Sequence, residues 1–185
     1  MHPQLQAIVD ELDSAQARLK VLAAATAPKD WSRQPAPARW SIGECVAHLN
    51  LTSAAFLPGL NQALTGPARS NVSKRFRRDP LGWLLWRAVG PPARLRFKTA
   101  APFIPRATAG QRELIAEFDR WQGELVACVR KAEGLPLDRL WIGSPFNRQM
   151  HYNLYSALTI LPRHQHRHLW QAEQVQTALQ ALSSA

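Results

Sequence analysis

Cysteine is nearly absent: 185 residues contain only Cys45 and Cys128. They form no C-x-x-C pair, which excludes a disulfide scaffold and a cysteine-ligated zinc finger. The sequence also lacks a glycine-rich nucleotide loop, a G-x-S-x-G elbow, an internal repeat and a low-complexity tract. No apolar run can span a bilayer. The longest stretch without a formal charge, residues 45–68, is interrupted by His48, Asn50, Thr52, Ser53, Asn61 and Gln62. Met1-His2-Pro3-Gln4 leads directly into an amphipathic pattern without an apolar h-region, so no secretion signal is expected and the chain reads as soluble and cytoplasmic.

Acidic residues are scarce as well, 13 against 23 Lys and Arg, for a net charge of +10. The excess is concentrated. Residues 66–107 carry Arg69, Lys74, Arg75, Arg77, Arg78, Arg87, Arg94, Arg96, Lys98 and Arg106 with one acid, Asp79, leaving the remainder at +1. A near-neutral body with one basic segment differs from a uniformly basic nucleic-acid binder. Apolar residues make up 46% and charged residues 19%, a globular balance, and the length suits a single domain over 1–185.

Four segments carry helical period. Leu5, Ile8, Val9, Leu12, Ala15, Leu19 and Leu22 form a stripe over 4–25. Ser41-Ile42-Gly43-Glu44 reads as a capping box that opens a second helix through Val46, Leu49, Ser53, Phe56 and Leu60, with Pro58 a kink or break. A third begins after Thr108 with Leu114, Phe118, Trp121, Leu125, Cys128 and Ala132, and ends at Gly134. Asn153 is the expected N-cap of a fourth, carrying Leu154, Leu158, Leu161, His168, Ala172, Val175, Leu179 and Leu182. Pro162 should bend it.

Some 42 residues separate the second and third helices, far beyond the roughly 2–8 that join antiparallel neighbours. Such a length is what a parallel pair requires, so the pattern predicts an all-α bundle with a long crossover at 66–107. Within it, Asp79-Pro80 followed by an apolar run to Val89-Gly90-Pro91-Pro92 predicts a short extra helix, capped by Asp79. That helix is apolar nearly all round. Buried, Trp83 and Trp86 would form a lid over a pocket; exposed, they would form an interfacial anchor flanked by arginines. The lid is the preferred expectation, and Lys74-Arg75-Phe76-Arg77-Arg78 reads as a solvated surface rather than a nucleic-acid site.

Three of the six histidines stand out. His164 and His168 lie four apart on one helical face, while His166, about 200° round, should face solvent. His48 flanks the buried stripe of the second helix. Three imidazoles from two helices can hold one divalent ion with positions left open. On spacing alone, two hydrogen-bonded core histidines with an unrelated His48 is the stronger reading.

The run Trp40-Ser41-Ile42-Gly43-Glu44-Cys45-Val46-Ala47-His48-Leu49 resembles the W-S-x-x-E-x-x-x-H-L signature of the DinB/YfiT-like superfamily. His164-Gln165-His166-Arg167-His168-Leu169-Trp170-Gln171 is similar to its H-x-x-[RH]-H-x-x-Q element. The resemblance implies an up-down-down-up four-helix bundle and a metal site of His48, His164 and His168 holding nickel, zinc, iron or manganese. It also implies a transferase or isomerase activity with low-molecular-weight thiols such as bacillithiol or mycothiol.

Around that site, Gln171 is placed to hydrogen-bond a ligand, with a polar seam residue the equal alternative. Glu44 can orient His48, although its capping role already explains it. Cys45 reads as core rather than ligand. The expected function is a metal-dependent, thiol-using transferase or a hydrolase acting on a small anionic substrate. A non-catalytic metal-binding, stress-related or peripheral-membrane module on the same bundle is the alternative. A homodimer and weak membrane-surface association are further expectations; a nucleic-acid partner is not.

Overall fold

The computed structural model describes residues 1–65, 74–92, 99–105, 109–147 and 149–183. Its helices are α1 (Pro3–Ala24), α2 (Ile42–Leu64), the short α3 (Pro80–Ala88), α4 (Gln111–Lys131) and α5 (Leu154–Ser183). Strands β1 (Trp141–Gly143) and β2 (His151–Asn153) lie between α4 and α5. Thr108 and the basic residues Arg69, Arg94, Arg96, Lys98 and Arg106 fall outside the described residues.

All seven stripe residues of α1 are buried. The α2 capping box is complete: Glu44 N donates to Ser41 Oγ at 3.1 Å, and Ser41 N to Glu44 Oε2 at 2.6 Å. This satisfies two helix-end donors at once. Pro58 does not break α2, which runs on to Leu64. Losing one backbone bond is a local cost, and Phe56, Leu57 and Leu60, all buried around it, hold both halves to the same core. Pro162 is carried within α5 in the same way.

Contacts between the long helices fix their neighbours. Along α1 and α5 they advance together: Gln4 Nε2 meets Tyr155 Oη at 2.7 Å, Arg18 meets Glu173, and Gln176 Nε2 donates to Ala25 O at 2.9 Å. Between α1 and α4 they run in opposite order, with Gln122 Nε2 on Leu12 O and Gln111 Nε2 on Ala23 O. Between α2 and α4 they again advance together, Asn50 meeting Leu114 and Asn61 meeting Cys128. A long return between α2 and α4 follows from that order.

The all-α expectation needs one correction. Strands β1 and β2 pair antiparallel with Ile142 opposite Tyr152, and both side chains are buried. Ile142 packs against Gly59 of α2, where an added Cβ would come within 3.0 Å of its Cδ1. The ribbon therefore covers one end of the bundle.

Helix α3 is fastened to the start of α5 through Asp79. Its carboxylate accepts from Gly82 N (3.0 Å), Asn153 N (2.9 Å) and Ser156 Oγ (2.8 Å). Burial alone would raise this carboxyl, but these hydrogen bonds outweigh it and hold the pKa below the usual aspartate value. Asn153 caps α5 as expected, its Oδ1 accepting from Ser156 N at 2.8 Å. Among the described residues, no helix is long and apolar enough to cross a membrane.

Candidate metal centre

Two apolar clusters fill the bundle, one including Leu158 and Leu161, the other including Val46, Leu49 and Leu169. Helix α5 passes from one to the other between Leu161 and Leu169, and there His164 and His168 turn toward α2. His48 faces them from α2.

The three rings converge through their Nε2 atoms: His48 to His164 at 3.4 Å, His164 to His168 at 3.1 Å. One ligand nitrogen from each lies within 4.8 Å of the others. The Phe103 carbonyl sits 2.8 Å from His48 Nδ1. A carbonyl only accepts, so Nδ1 carries the proton and His48 Nε2 presents a lone pair inward. One proton on His164 or His168 cannot satisfy both Nε2 contacts well. The buried Nδ1 of His168 makes no hydrogen bond of full geometry in either case. Convergent lone pairs backed by a fixed tautomer are the arrangement a cation needs, so the residues fit a divalent ion.

Electrostatics agree. Burial lowers the pKa of His48, partly offset by the Phe103 carbonyl. His164 is driven well below 6.5 by burial, then by His48 and Arg167. His168 follows by burial, His164, His48 and Arg167, with Gln171 acting in the opposite direction. All three rings are neutral at pH 7, the state in which imidazole is a ligand.

The remaining candidates divide. Gln171 is the polar neighbour of His168, where its spacing puts it. Glu44 is committed to Ser41 N and to Gln34 Nε2, at 3.0 Å, and not to the His48 ring. Its position in the first turn folds it back on the cap, and the Phe103 carbonyl orients His48 instead. Cys45 belongs to the core, its thiol pushed up to about 12 by burial and then by the Glu44 charge. His166 does not face solvent. Helix α1 covers it, bringing Glu11 to 3.0 Å and Arg18 to 3.4 Å, away from the triad.

Trp83 and Trp86 do not meet the expectation of a buried lid. Trp83 is 54% exposed, and Trp86 is half-buried against the α5 side of the bundle. The described aromatic groups beside the triad are Trp40, 5.0 Å from His48 and 5.9 Å from His168 between ring centroids, and Phe146, 6.2 Å from His164. Phe103 packs on Phe146 at 4.5 Å. Sequence reasoning missed Phe103 and Phe146, which sit in connections without periodicity. Trp40 was in view as the first residue of the W-S run.

The model of the DinB superfamily matches residues 11–172. The chain belongs to the DinB superfamily. A solved structure similar to this DinB-superfamily chain is described as "YfiT from Bacillus subtilis is a probable metal-dependent hydrolase with an unusual four-helix bundle topology". The two share 16% identity and a TM-score of 0.64, over 97% of this chain and 90% of that one. The likeness shows a common fold. No curated protein matches.

In this DinB-superfamily member the depressed histidine pKa values set a pH dependence. In the unfolded chain these rings take up protons as pH falls through 6.5, whereas the folded rings resist. In the chelator-treated protein the stability that these three rings contribute is therefore fully present above 6.5 and is lost as pH falls below it. Thermal melts from about pH 7 to about pH 5 should show a falling Tm, with a shallower fall in His164→Gln.

Proposed function

We propose that this chain is a metal-dependent hydrolase on an up-down-down-up bundle, with His48, His164 and His168 holding one divalent ion. The observation that carries the reading is the convergence of three Nε2 atoms, with the tautomer of His48 fixed by the Phe103 carbonyl. The description of the YfiT structure supports the reaction class. When bound, the ion supplies Lewis acidity toward a water, a thiol or a carbonyl substrate.

The chain's own residues do the rest. Phe103 O orients His48, Gln171 flanks His168, and Trp40 with Phe146 keeps bulk water from the rings, which strengthens local electrostatics. Between α2 and α4 a cleft of about 460 Å³ is lined by Ala47, Leu51, Ala54, Pro102 and Ile104, with Asn50 and Glu117 as polar groups, and none of the three histidines lines it. Asn50 is buried, and its Oδ1 has no hydrogen-bond partner.

Metal-loaded protein tested on a panel of esters and amides should turn over one class. That turnover should disappear with chelator and in His48→Ala. Activity confined to low-molecular-weight thiol plus electrophile would replace hydrolysis by thiol transfer. Stoichiometric metal without turnover in either assay would point to the non-catalytic module.

A further inference from the structure

The crossover presents a surface that the metal centre does not use. On α3, Trp83 and Leu84 are adjacent and 54% and 56% exposed. Arg87, one turn further on, is exposed on the same side. Arg75, Arg77 and Arg78 line a cleft of about 890 Å³ together with Trp83, Leu84 and Tyr155. The sole acid in residues 74–92, Asp79, is occupied by its three hydrogen bonds.

This exposure is not looseness. The inner side of α3 is held by Asp79 on Ser156, by Arg163 Nε on Trp86 O at 2.9 Å and by Arg167 on Ala88 O at 3.2 Å. Arg78 and Arg163 stack on the Trp86 ring at 4.2 and 4.1 Å, and Arg78 Nε donates to Thr159 Oγ1 at 2.8 Å. A rigidly seated helix thus turns a tryptophan and a leucine outward, with Arg75, Arg77 and Arg87 exposed nearby.

We propose that α3 and its flanking arginines dock this chain on an anionic phospholipid surface. The cations attract lipid phosphates and carboxylates, and Trp83 with Leu84 enters the headgroup boundary, as interfacial helices do. Charge complementarity favours an anionic partner. The apolar pair selects lipid over nucleic acid, because a leucine beside the tryptophan offers no stacking face and α3 is too short to fill a groove. Nine residues make a weak anchor, so binding is reversible and falls with salt.

The test is co-sedimentation of the full chain with phosphatidylcholine vesicles, alone or mixed with phosphatidylserine. The wild type should partition to the mixed vesicles only, and less so at higher salt. Trp83→Ala with Leu84→Ala should lower partitioning roughly tenfold at unchanged Tm, since both side chains are largely in solvent. Arg77→Gln with Arg87→Gln should lower it while leaving the apolar pair in place. Equal binding to neutral vesicles, no binding at all, or full binding by both double variants would overturn the proposal. So would an oligonucleotide that binds this surface where vesicles do not. None of these outcomes depends on the metal reading.

Discussion

His48→Ala, His164→Ala and His168→Ala should each weaken divalent-metal binding by more than about 100-fold, while His166→Ala leaves it within about twofold. Loss of a supporting hydrogen bond behind a ligand costs 10–100-fold, and loss of the ligand itself exceeds that range. The distinction rests on geometry. His164 and His168 meet at 3.1 Å through Nε2, with His48 at 3.4 Å, whereas His166 turns to Glu11 and Arg18 of α1. Titration calorimetry on the four variants reads the affinities directly. Equal losses in all four would mean that the ring positions described here do not bind the ion.

Gly82→Ala should destabilise the protein by about 3 kcal/mol, at the upper end of what overpacking costs. A Cβ at this buried position would overlap Oγ and Cβ of Ser156 and come within 2.7 Å of Asp79 Oδ1. None of these atoms is the far end of a flexible chain. Ser156 is fully buried in the first turn of α5, and Asp79 is tied to three donors. Either α3 lifts from α5, or the Asp79 hydrogen bonds break with their charge left half-buried. For a chain of this length the corresponding fall in Tm is roughly 6–12 °C. Ser156→Gly in the Gly82→Ala background should recover part of it, since it removes the overlapping atoms at the cost of one hydrogen bond. An unchanged Tm in Gly82→Ala would show that α3 does not sit where Asp79 and Ser156 place it.

Local signals carried through where a few consecutive residues contain the whole cause. The Ser41–Glu44 box, the Asp79 cap before Pro80 and the Asn153 cap are each complete within three or four positions, the stripe of α1 repeats at that same spacing, and each is realised. The histidine pair was legible for the same reason, being a matter of helical angle. What could not be read depends on what lies opposite. Two three-residue strands are too short for alternation to show, and β1 and β2 are defined by tertiary contacts, Ile142 lying opposite Tyr152 and against Gly59. His166 points away from the triad as the angle requires, but whether it meets water or another helix depends on α1. Glu44 was available to His48 by spacing, and the cap claimed it. The carbonyl that orients His48 comes from Phe103, 55 residues away, and a main-chain atom leaves no mark in side-chain pattern. Trp83 and Trp86 look alike in an apolar run; only the seating of α3 on Ser156 and Arg163 separates the exposed ring from the half-buried one.

Three neutral imidazoles are placed to hold one divalent ion between α2 and α5. Elemental analysis of protein purified without a histidine tag, followed by a metal titration of the chelated form, tests it most directly. One ion per chain is expected, with a stabilisation of about 2.7 kcal/mol when free metal reaches 100 times Kd. Sub-stoichiometric metal throughout the titration, with a Tm that does not move, would contradict it.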